Sequence, residues 1–431
     1  MVAFEDGADS LVDSYEKLRV LIVTPSLPYP PVWGFGIRVY QMVRHLSVRH
    51  SVSLLTFAGP EQAESIQELE RIGLRLFTVA PAAPGFVGKR VMQFGSLFAR
   101  LSFQHRSLYA EAMQRGLTQL LGNEEFDIIQ VESSQMGVYD YGGHSPVILD
   151  EHNIEYELLH RVYRGERSPL RRFFNWSEHL KFKREEQRLW NEVDACVLTS
   201  EREREIFATH EPGKASAVVP NGVDTTFFRP SAAPVDPNSI VFTGLMRYRP
   251  NVDGASYFVK EVLPLIVRAR PEIRLTIVGA GPTAAVRQLA GQNVVVTGMV
   301  PDVRPYLESA SVFVVPLRMG SGTRLKVLEG LAMGKATVST SIGCEGIDVR
   351  DGEHLLVRDG PQSFADAVLR LLDDQDDAAA LGLRGREVVL QKYDWQAIVS
   401  DLEGFYSVIL SRDCNRILAD PHRVDASHET P

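Results

Sequence analysis

Cysteine is scarce in this chain: Cys196, Cys344 and Cys414 are all there is in 431 residues, and they lie far apart. That number and spacing offer no disulfide framework and no metal-binding pair, which suits a reducing compartment. Cys344 as a nucleophile is conceivable, but a small buried or loop thiol is the plainer reading. Long apolar runs are missing as well, so no stretch has the length of a membrane span. Residues 1–14 are acidic and lack the apolar core of a signal peptide. A basic excess is also lacking. Lys and Arg number 46 against 55 Asp and Glu, a formal net charge of −9, and bulk electrostatics lend no support to nucleic-acid binding. No repeat of solenoid period and no low-complexity tract is found. What is present is 44% hydrophobic and 23% charged residues, the composition of a folded soluble chain whose length calls for two domains. The expected location is the cytoplasm, with any membrane contact made from the side, at the inner face.

Short apolar, β-branched runs alternate with stretches of helical period. Strands are predicted at 19–24, 51–56, 74–79, 126–131, 147–150, 195–200 and 217–220. After a loose segment at 230–238, rich in Pro, Ala and Ser, strands resume at 240–243, 273–278, 294–297, 312–315 and 336–340. Helices are predicted at 252–269, 364–372, 378–390 and 395–410. Such alternation means parallel sheets covered on both faces, with ligands beyond the carboxyl ends of the strands. The fold class expected is α/β, as two Rossmann-like parallel-sheet domains facing across a cleft. Their bounds are set at 18–215 and 216–395, with a helix at 396–412 returning towards the first domain and a polar tail at 413–431. Two basic regions stand out in the first half. In 89–115, Lys89, Arg90, Arg100, Arg106 and Arg115 meet one acid, Glu111, while Phe94, Leu97, Phe98 and Leu101 fall at helical spacing. This segment is either a core-facing helix with a solvated back or a basic amphipathic surface for peripheral membrane contact. The region 161–188 carries Glu166, Glu178, Glu185 and Glu186 among its cations and reads as a long exposed helix with ion pairs.

The richest stretch follows the strand at 312–315: Gly320-Ser321-Gly322-Thr323-Arg324-Leu325-Lys326, then Leu328, Glu329 and Ala332, with Gly334 as the helix stop. A strand, a small-residue loop and a helix N-terminus together make an anion site, because free N–H groups and the dipole favour negative charge. Arg324 and Lys326 sit in the first turn, where cations oppose the dipole and call for a ligand. Glu329 lies at the edge of the buried face and wants a polar partner. Gly34-Phe35-Gly36, after the first strand, allows close backbone approach to an anion, though a simple loop explains it equally well. Asp150-Glu151-His152-Asn153-Ile154-Glu155 clusters polar groups at a strand end. There His152 could donate a hydrogen bond or move a proton near neutral pH. Its spacing matches no standard metal signature. Gly279-Ala280-Gly281-Pro282-Thr283-Ala284 resembles a dinucleotide fingerprint. However, Ala284 replaces the last glycine, and the next strand ends in Gly298 instead of an acid, so a tight turn is the better reading.

Taken in order and spacing, several of these pieces resemble the retaining GT-B glycosyltransferases of family 4 over nearly the whole chain. They are residues 30–38, Asp150 to Glu155, Val219-Pro220-Asn221-Gly222-Val223-Asp224, Phe242-Thr243-Gly244, the turn at 277–282, Val296-Thr297-Gly298-Met299-Val300 and 320–334. The resemblance implies a GT-B enzyme that moves a sugar from a nucleotide-sugar donor to an acceptor, with retention of configuration and without metal or cofactor. It makes 18–215 the acceptor domain and 216–395 the donor domain. Position by position, it assigns Glu329 to the second glutamate of an E-x7-E motif that bonds the donor ribose. Arg324 and Lys326 fall at the diphosphate, and Gly34 and Gly36 in the loop that closes over it. His152 falls at the sugar, Val300 at the base, and Gly244 at the donor site. The first motif glutamate is replaced by Ser321, so the sugar contacts pass to Ser321, Gly322, Thr323 and main-chain N–H groups. The Arg…Lys pair usual after the first strand of the donor domain is replaced by Leu245 and Pro250. The acceptor, whether a glycan, a lipid-linked molecule or a small metabolite, stays open. So do a nucleotide-sugar epimerase, a nicotinamide oxidoreductase and a non-catalytic sugar-nucleotide binder.

Overall fold

The computed structural model describes residues 17–81, 92–93, 95–166, 168–231, 234–320 and 324–419. It divides into two compact units, one from Met1–Val197, Phe207–Ser216 and Gly404–Pro431, the other from Leu198–Ile206 and Ala217–Glu403. The first holds a seven-stranded sheet of β1 (Arg19–Thr24), β2 (Ser51–Phe57), β3 (Arg75–Val79), β4 (Ile128–Glu132), β5 (Val147–Glu151), β6 (Ala195–Leu198) and β7 (Ala215–Val218). Its order is β3-β2-β1-β4-β5-β6-β7, and the pairs from β3 to β5 are parallel. Val20, Leu21, Ile22 and Val23 are all fully buried, as a strand covered on both faces must be.

The second unit repeats the plan with β8 (Asp236–Thr243), β9 (Arg274–Val278), β10 (Val294–Gly298), β11 (Ala310–Val315), β12 (Ala336–Ser339) and β13 (Leu356–Val357). Its six strands run in the order β10-β9-β8-β11-β12-β13, all parallel. Chain order reverses between β1 and β4 in one sheet and between β8 and β11 in the other. The crevices beyond those strand ends are where open α/β sheets take ligands. Backbone contact is close at the second crevice. A Cβ on Gly279, whose φ is +147°, would fall 1.7 Å from the Gly244 carbonyl oxygen, so only glycine fits.

Four expectations need correction. The helix Pro169–Glu192 is not simply an exposed, ion-paired one: it buries Glu178, Phe182, Glu186, Leu189 and Trp190. Its acids tolerate burial because donors meet them: the Ser96 hydroxyl and Phe103 N–H at Glu178, and the Ser102 N–H at Glu185, 2.6 Å away. The single helix expected at 252–269 begins at Arg249 and contains a π turn, Phe258–Val262, just before Pro264. Pro264 has no N–H for the regular ladder, and its ring crowds the preceding turn. The last helix runs from Trp395 to Ala419, beyond the 412 expected. Within 89–115, Lys89, Arg90 and Phe94 lie outside the described residues. The described part gives no continuous amphipathic helix, since Leu97 to Leu101 form turns and Ser102 caps a new short helix, Phe103–Leu108. Phe98 and Leu101 are exposed, so they do not face a core.

Candidate active site

In the first unit, the β1–β4 crevice gathers side chains from three elements. The helix Gly34–Arg49 starts at Gly34, directly after Trp33, so the N–H groups of the Gly34-Phe35-Gly36 turn are the free ones of a helix N-terminus. A Cβ on Gly36 would lie 3.3 Å from the Trp33 ring and 3.4 Å from the Pro28 oxygen, so the tight entry to the helix favours glycine. From the same first turn, the Phe35 ring stacks on His152 with centroids 4.6 Å apart. Arg38 is fully buried and grips Asp150 with two bonds, Nε to Oδ2 at 3.1 Å and Nη2 to Oδ1 at 2.8 Å.

Behind His152 stands Glu132, the last residue of β4. Its Oε2 lies 2.7 Å from His152 Nε2, and its Oε1 accepts from Gln130 Nε2 at 2.7 Å. Burial and the neighbouring Asp150 push the Glu132 carboxyl up, while His152 and Gln130 oppose the shift. With Nε2–H donated to Glu132, Nδ1 is the ring atom left to face a ligand. Glu132, Asp150 and His152 also bring ligand atoms within 4.8 Å of one another, the spacing of a metal site. The donor set does not fit one. Arg38 holds both Asp150 oxygens, and a cation there would have to displace a buried guanidinium.

The loop after His152 is held from below. Glu186 accepts from the Ser134 hydroxyl at 2.8 Å, the Glu155 N–H at 2.9 Å and the Tyr156 N–H at 3.0 Å, and so caps the helix Glu155–Gly165. Burial pushes Glu186 up to about 8 and Glu155 up to about 7. Glu151, which points away to accept from Trp190 Nε1 at 2.9 Å, is raised well above the ordinary range, again by burial.

In the second unit, the β8–β11 crevice holds the other set. Ser321, Gly322 and Thr323 lie outside the described residues. Arg324, buried, is the N-cap of the helix Leu325–Ala332, which ends at Gly334 with φ +66°. Its guanidinium lies 3.9 Å from Glu345 and against Gly320. Lys326 reaches across to the end of β8. Its Nζ donates to the Thr243 carbonyl and to Asn251 Oδ1, both at 2.7 Å, and lies 4.6 Å from the Phe242 ring centroid. Gly244 makes room for this, because a Cβ there would sit 2.5 Å from the ammonium. Desolvation lowers Lys326 to about 7, against Glu329, which raises it; Arg324 lowers it further. Glu329, half-buried, is raised to about 7 by desolvation, with Lys326 opposing. Val300 packs half-buried on the core after β10. This crevice can hold an anion between two cations and a helix N-terminus.

The structure thus gathers Gly34, Gly36 and His152 in one crevice and Gly244, Arg324, Lys326 and Glu329 in the other. Sequence reasoning missed Arg38, Glu132, Gln130 and Asn251. Glu132 alone had a usable signal, an acid closing the apolar run of β4 as Asp150 closes that of β5.

Two family models match the chain: Glycosyltransferase Family 4 over residues 33–227, and Glycosyl transferases group 1 over residues 237–374. The chain is 21% identical over 402 residues to a 44.6 kDa protein of the cps region of Klebsiella pneumoniae, across 89% of this chain and 98% of that one. It is 30% identical over 244 residues to a GDP-mannose-dependent alpha-(1-6)-phosphatidylinositol monomannoside mannosyltransferase of Mycobacterium tuberculosis. That match takes 51% of this chain and 63% of the mannosyltransferase, so it spans less than two thirds of the relative. Among solved structures, sucrose-phosphate synthase of Thermosynechococcus elongatus shares the fold, with a TM-score of 0.65 and 17% identity over 92% of this chain and 100% of that one. With both family models and the two-sheet architecture in agreement, the chain belongs to the group 1, family 4 glycosyltransferases, enzymes of the GT-B fold.

Proposed function

We propose that this enzyme moves a sugar from a nucleotide-sugar donor to an acceptor with retention of anomeric configuration. The observation that carries the reading is the second crevice, where Arg324 and Lys326 stand at a helix N-terminus with Glu329 one turn on. Departure of a nucleoside diphosphate builds negative charge on its phosphate, and fixed positive groups aimed there are the main catalytic lever. In this reading Arg324, Lys326 and the Gly322 and Thr323 amides take that charge, so the chemistry needs no metal. Glu329 bonds the ribose, Gly244 and Val300 border the nucleotide, and Ser321 stands where a glutamate would meet the sugar. In the first domain, His152 orients the sugar while Gly34 and Gly36 approach the diphosphate. The departing phosphate oxygen itself takes the acceptor's proton. We assign 18–215 to the acceptor and 216–395 to the donor. The acceptor is a glycan, a lipid-linked molecule or a small metabolite, and peripheral contact with the inner membrane face runs through 89–115 of a cytoplasmic protein.

The test is thermal stabilisation by UDP, GDP, ADP, dTDP, their common sugar conjugates and NAD(P). A ligand at a hundred times its Kd adds about 2.7 kcal/mol, a clear shift in Tm. Stabilisation by one nucleoside diphosphate and its sugar is the expected result, and it names the donor. Stabilisation by NAD(P) alone sinks the reading.

A further inference from the structure

The exposed apolar side chains of this protein are not scattered evenly. The helices Glu155–Gly165 and Pro169–Glu192 form an antiparallel hairpin, with Tyr156 and His160 against His179 and the Tyr163 ring under Arg172 at 5.3 Å. On the second helix Leu170, Phe173 and Trp176 recur every third residue and are exposed, Leu170 to 83% and Phe173 to 57%. They lie on the side opposite Glu178, Phe182 and Glu186, which are buried. The Phe173 and Trp176 rings are 5.8 Å apart, so the stripe is continuous. Val162, on the partner helix near the tip, is exposed too.

The charge around the stripe is mainly positive, although Arg161 pairs with Glu157 at 3.8 Å. Arg161, Arg164, Arg171 and Arg172 are all exposed, and the single acid from Arg161 to Trp176 is Glu166, which is engaged by the Ser168 N–H at 2.9 Å. Arg164 and Arg171 have no ion-pair partner among the described residues. In a chain of net charge −9 this is a local reversal of sign. Exposed Leu, Phe and Trp cost free energy in water, and Arg164 and Arg171 beside them have no ion-pair partner among the described residues to hold their charge. A surface that is apolar a few ångströms in and anionic at its face satisfies both.

We propose that the tip of this hairpin docks on an anionic lipid bilayer. Phe173, Trp176 and Leu170 enter the headgroup boundary, where amphipathic rings settle, and the arginines meet the lipid phosphates. A nucleic acid would use the arginines but leave the aliphatic Leu170 and Val162 in water. A partner protein would more often bury a stripe without a ring of like charge. The proposal concerns a surface of its own, distinct from the segment 89–115, and it holds whatever the donor or acceptor proves to be.

The test is co-sedimentation of the full chain with vesicles of phosphatidylcholine, with and without phosphatidylglycerol, at low and high salt. The wild-type chain should pellet with the anionic vesicles at low salt and stay in solution with pure phosphatidylcholine. Phe173→Ser/Trp176→Ser should cut pelleting at least about tenfold, leaving only what the segment 89–115 contributes. Arg171→Gln/Arg172→Gln should weaken it roughly thirtyfold, as loss of two interfacial cations requires. All four side chains are exposed, so the melting temperatures should match wild type. If the aromatic pair nonetheless melts early, Leu170→Gln makes the same removal one turn away. No pelleting of the wild-type chain overturns the proposal. So does equal pelleting with neutral vesicles, or pelleting undiminished in both double variants.

Discussion

A lysine clasped between a backbone carbonyl, an amide oxygen and a phenyl ring has good acceptors but little water, and for Lys326 desolvation wins. Its ordinary value of 10.5 falls to about 7. Folding therefore sheds its proton between those values. The penalty for the charged form is complete below about pH 7, and this group's share of stability recovers as pH climbs towards 10.5. A diphosphate brought to the same ammonium reverses the balance, because a nearby negative charge favours the protonated lysine. Nucleoside diphosphate binding should then take up a proton above about pH 7, and affinity should fall as pH rises. Calorimetry in two buffers of different ionisation enthalpy reads this directly: the apparent enthalpies should differ, and in Lys326→Met they should coincide. Identical enthalpies for the wild-type enzyme would sink the proposal that Lys326 meets the phosphate. Lys326, Arg324 and Glu329 were legible in the sequence because each breaks a local rule, a cation against the dipole or an acid beside the core. Arg38 and Asn251 break none, and Glu132 shows only as an acid closing the apolar run of β4. Their roles arise from partners such as Asp150, 112 positions from Arg38, and only the folded sheet brings those together.

At the scale of elements, strands were easy to find and helix interiors were not. A strand covered on both faces announces itself as an apolar run, but a helix that buries acids on its inner side hides its period. That is why Pro169–Glu192 reads as solvated from the sequence alone. Glu186 has one carboxyl for three donors, joining the loop after β4 to the first turn after the His152 loop. Its carboxyl is raised from 4.5 to about 8, chiefly by burial, with the two N–H groups opposing. Stability from this site is thus complete below about pH 4.5 and lost as pH rises towards 8. Glu186→Gln cannot titrate, but its amide nitrogen cannot accept from a backbone N–H as the carboxyl does at both oxygens. Its Tm should therefore lie below wild type near pH 5, and the gap should close as pH rises past 8, giving a flatter curve of Tm against pH. Glu186→Ala, in contrast, strands its donors and should cost about 1–3 kcal/mol at any pH. If the wild-type and glutamine curves run parallel, Glu186 is ionised throughout and the helix cap is purely a charged one.

At the scale of the whole molecule, the last helix belongs to both units: Trp395 to Glu403 count with the second, and from Gly404 the chain returns to the first. A late helix in that place was legible from its apolar period, but not what it touches. Tyr406, fully buried, donates its hydroxyl to Gln130 Oε1, and Gln130 passes its own N–H to Glu132, which holds His152. The last helix is therefore wired to the ring at the first crevice through four side chains, each fixing the next one's orientation. Tyr406→Phe keeps the ring and its packing but deprives a buried carbonyl of its donor, which should cost about 1–3 kcal/mol. It should also free Gln130 to turn, loosen its bond to Glu132 and change the proton affinity of the Glu132–His152 pair. The second effect separates a positioning role from a merely structural one. A lower Tm with an unaltered pH profile of kcat/KM would confine Tyr406 to stability. A displaced profile would give the last helix a positioning role, acting through Gln130 and Glu132 on the orientation of His152.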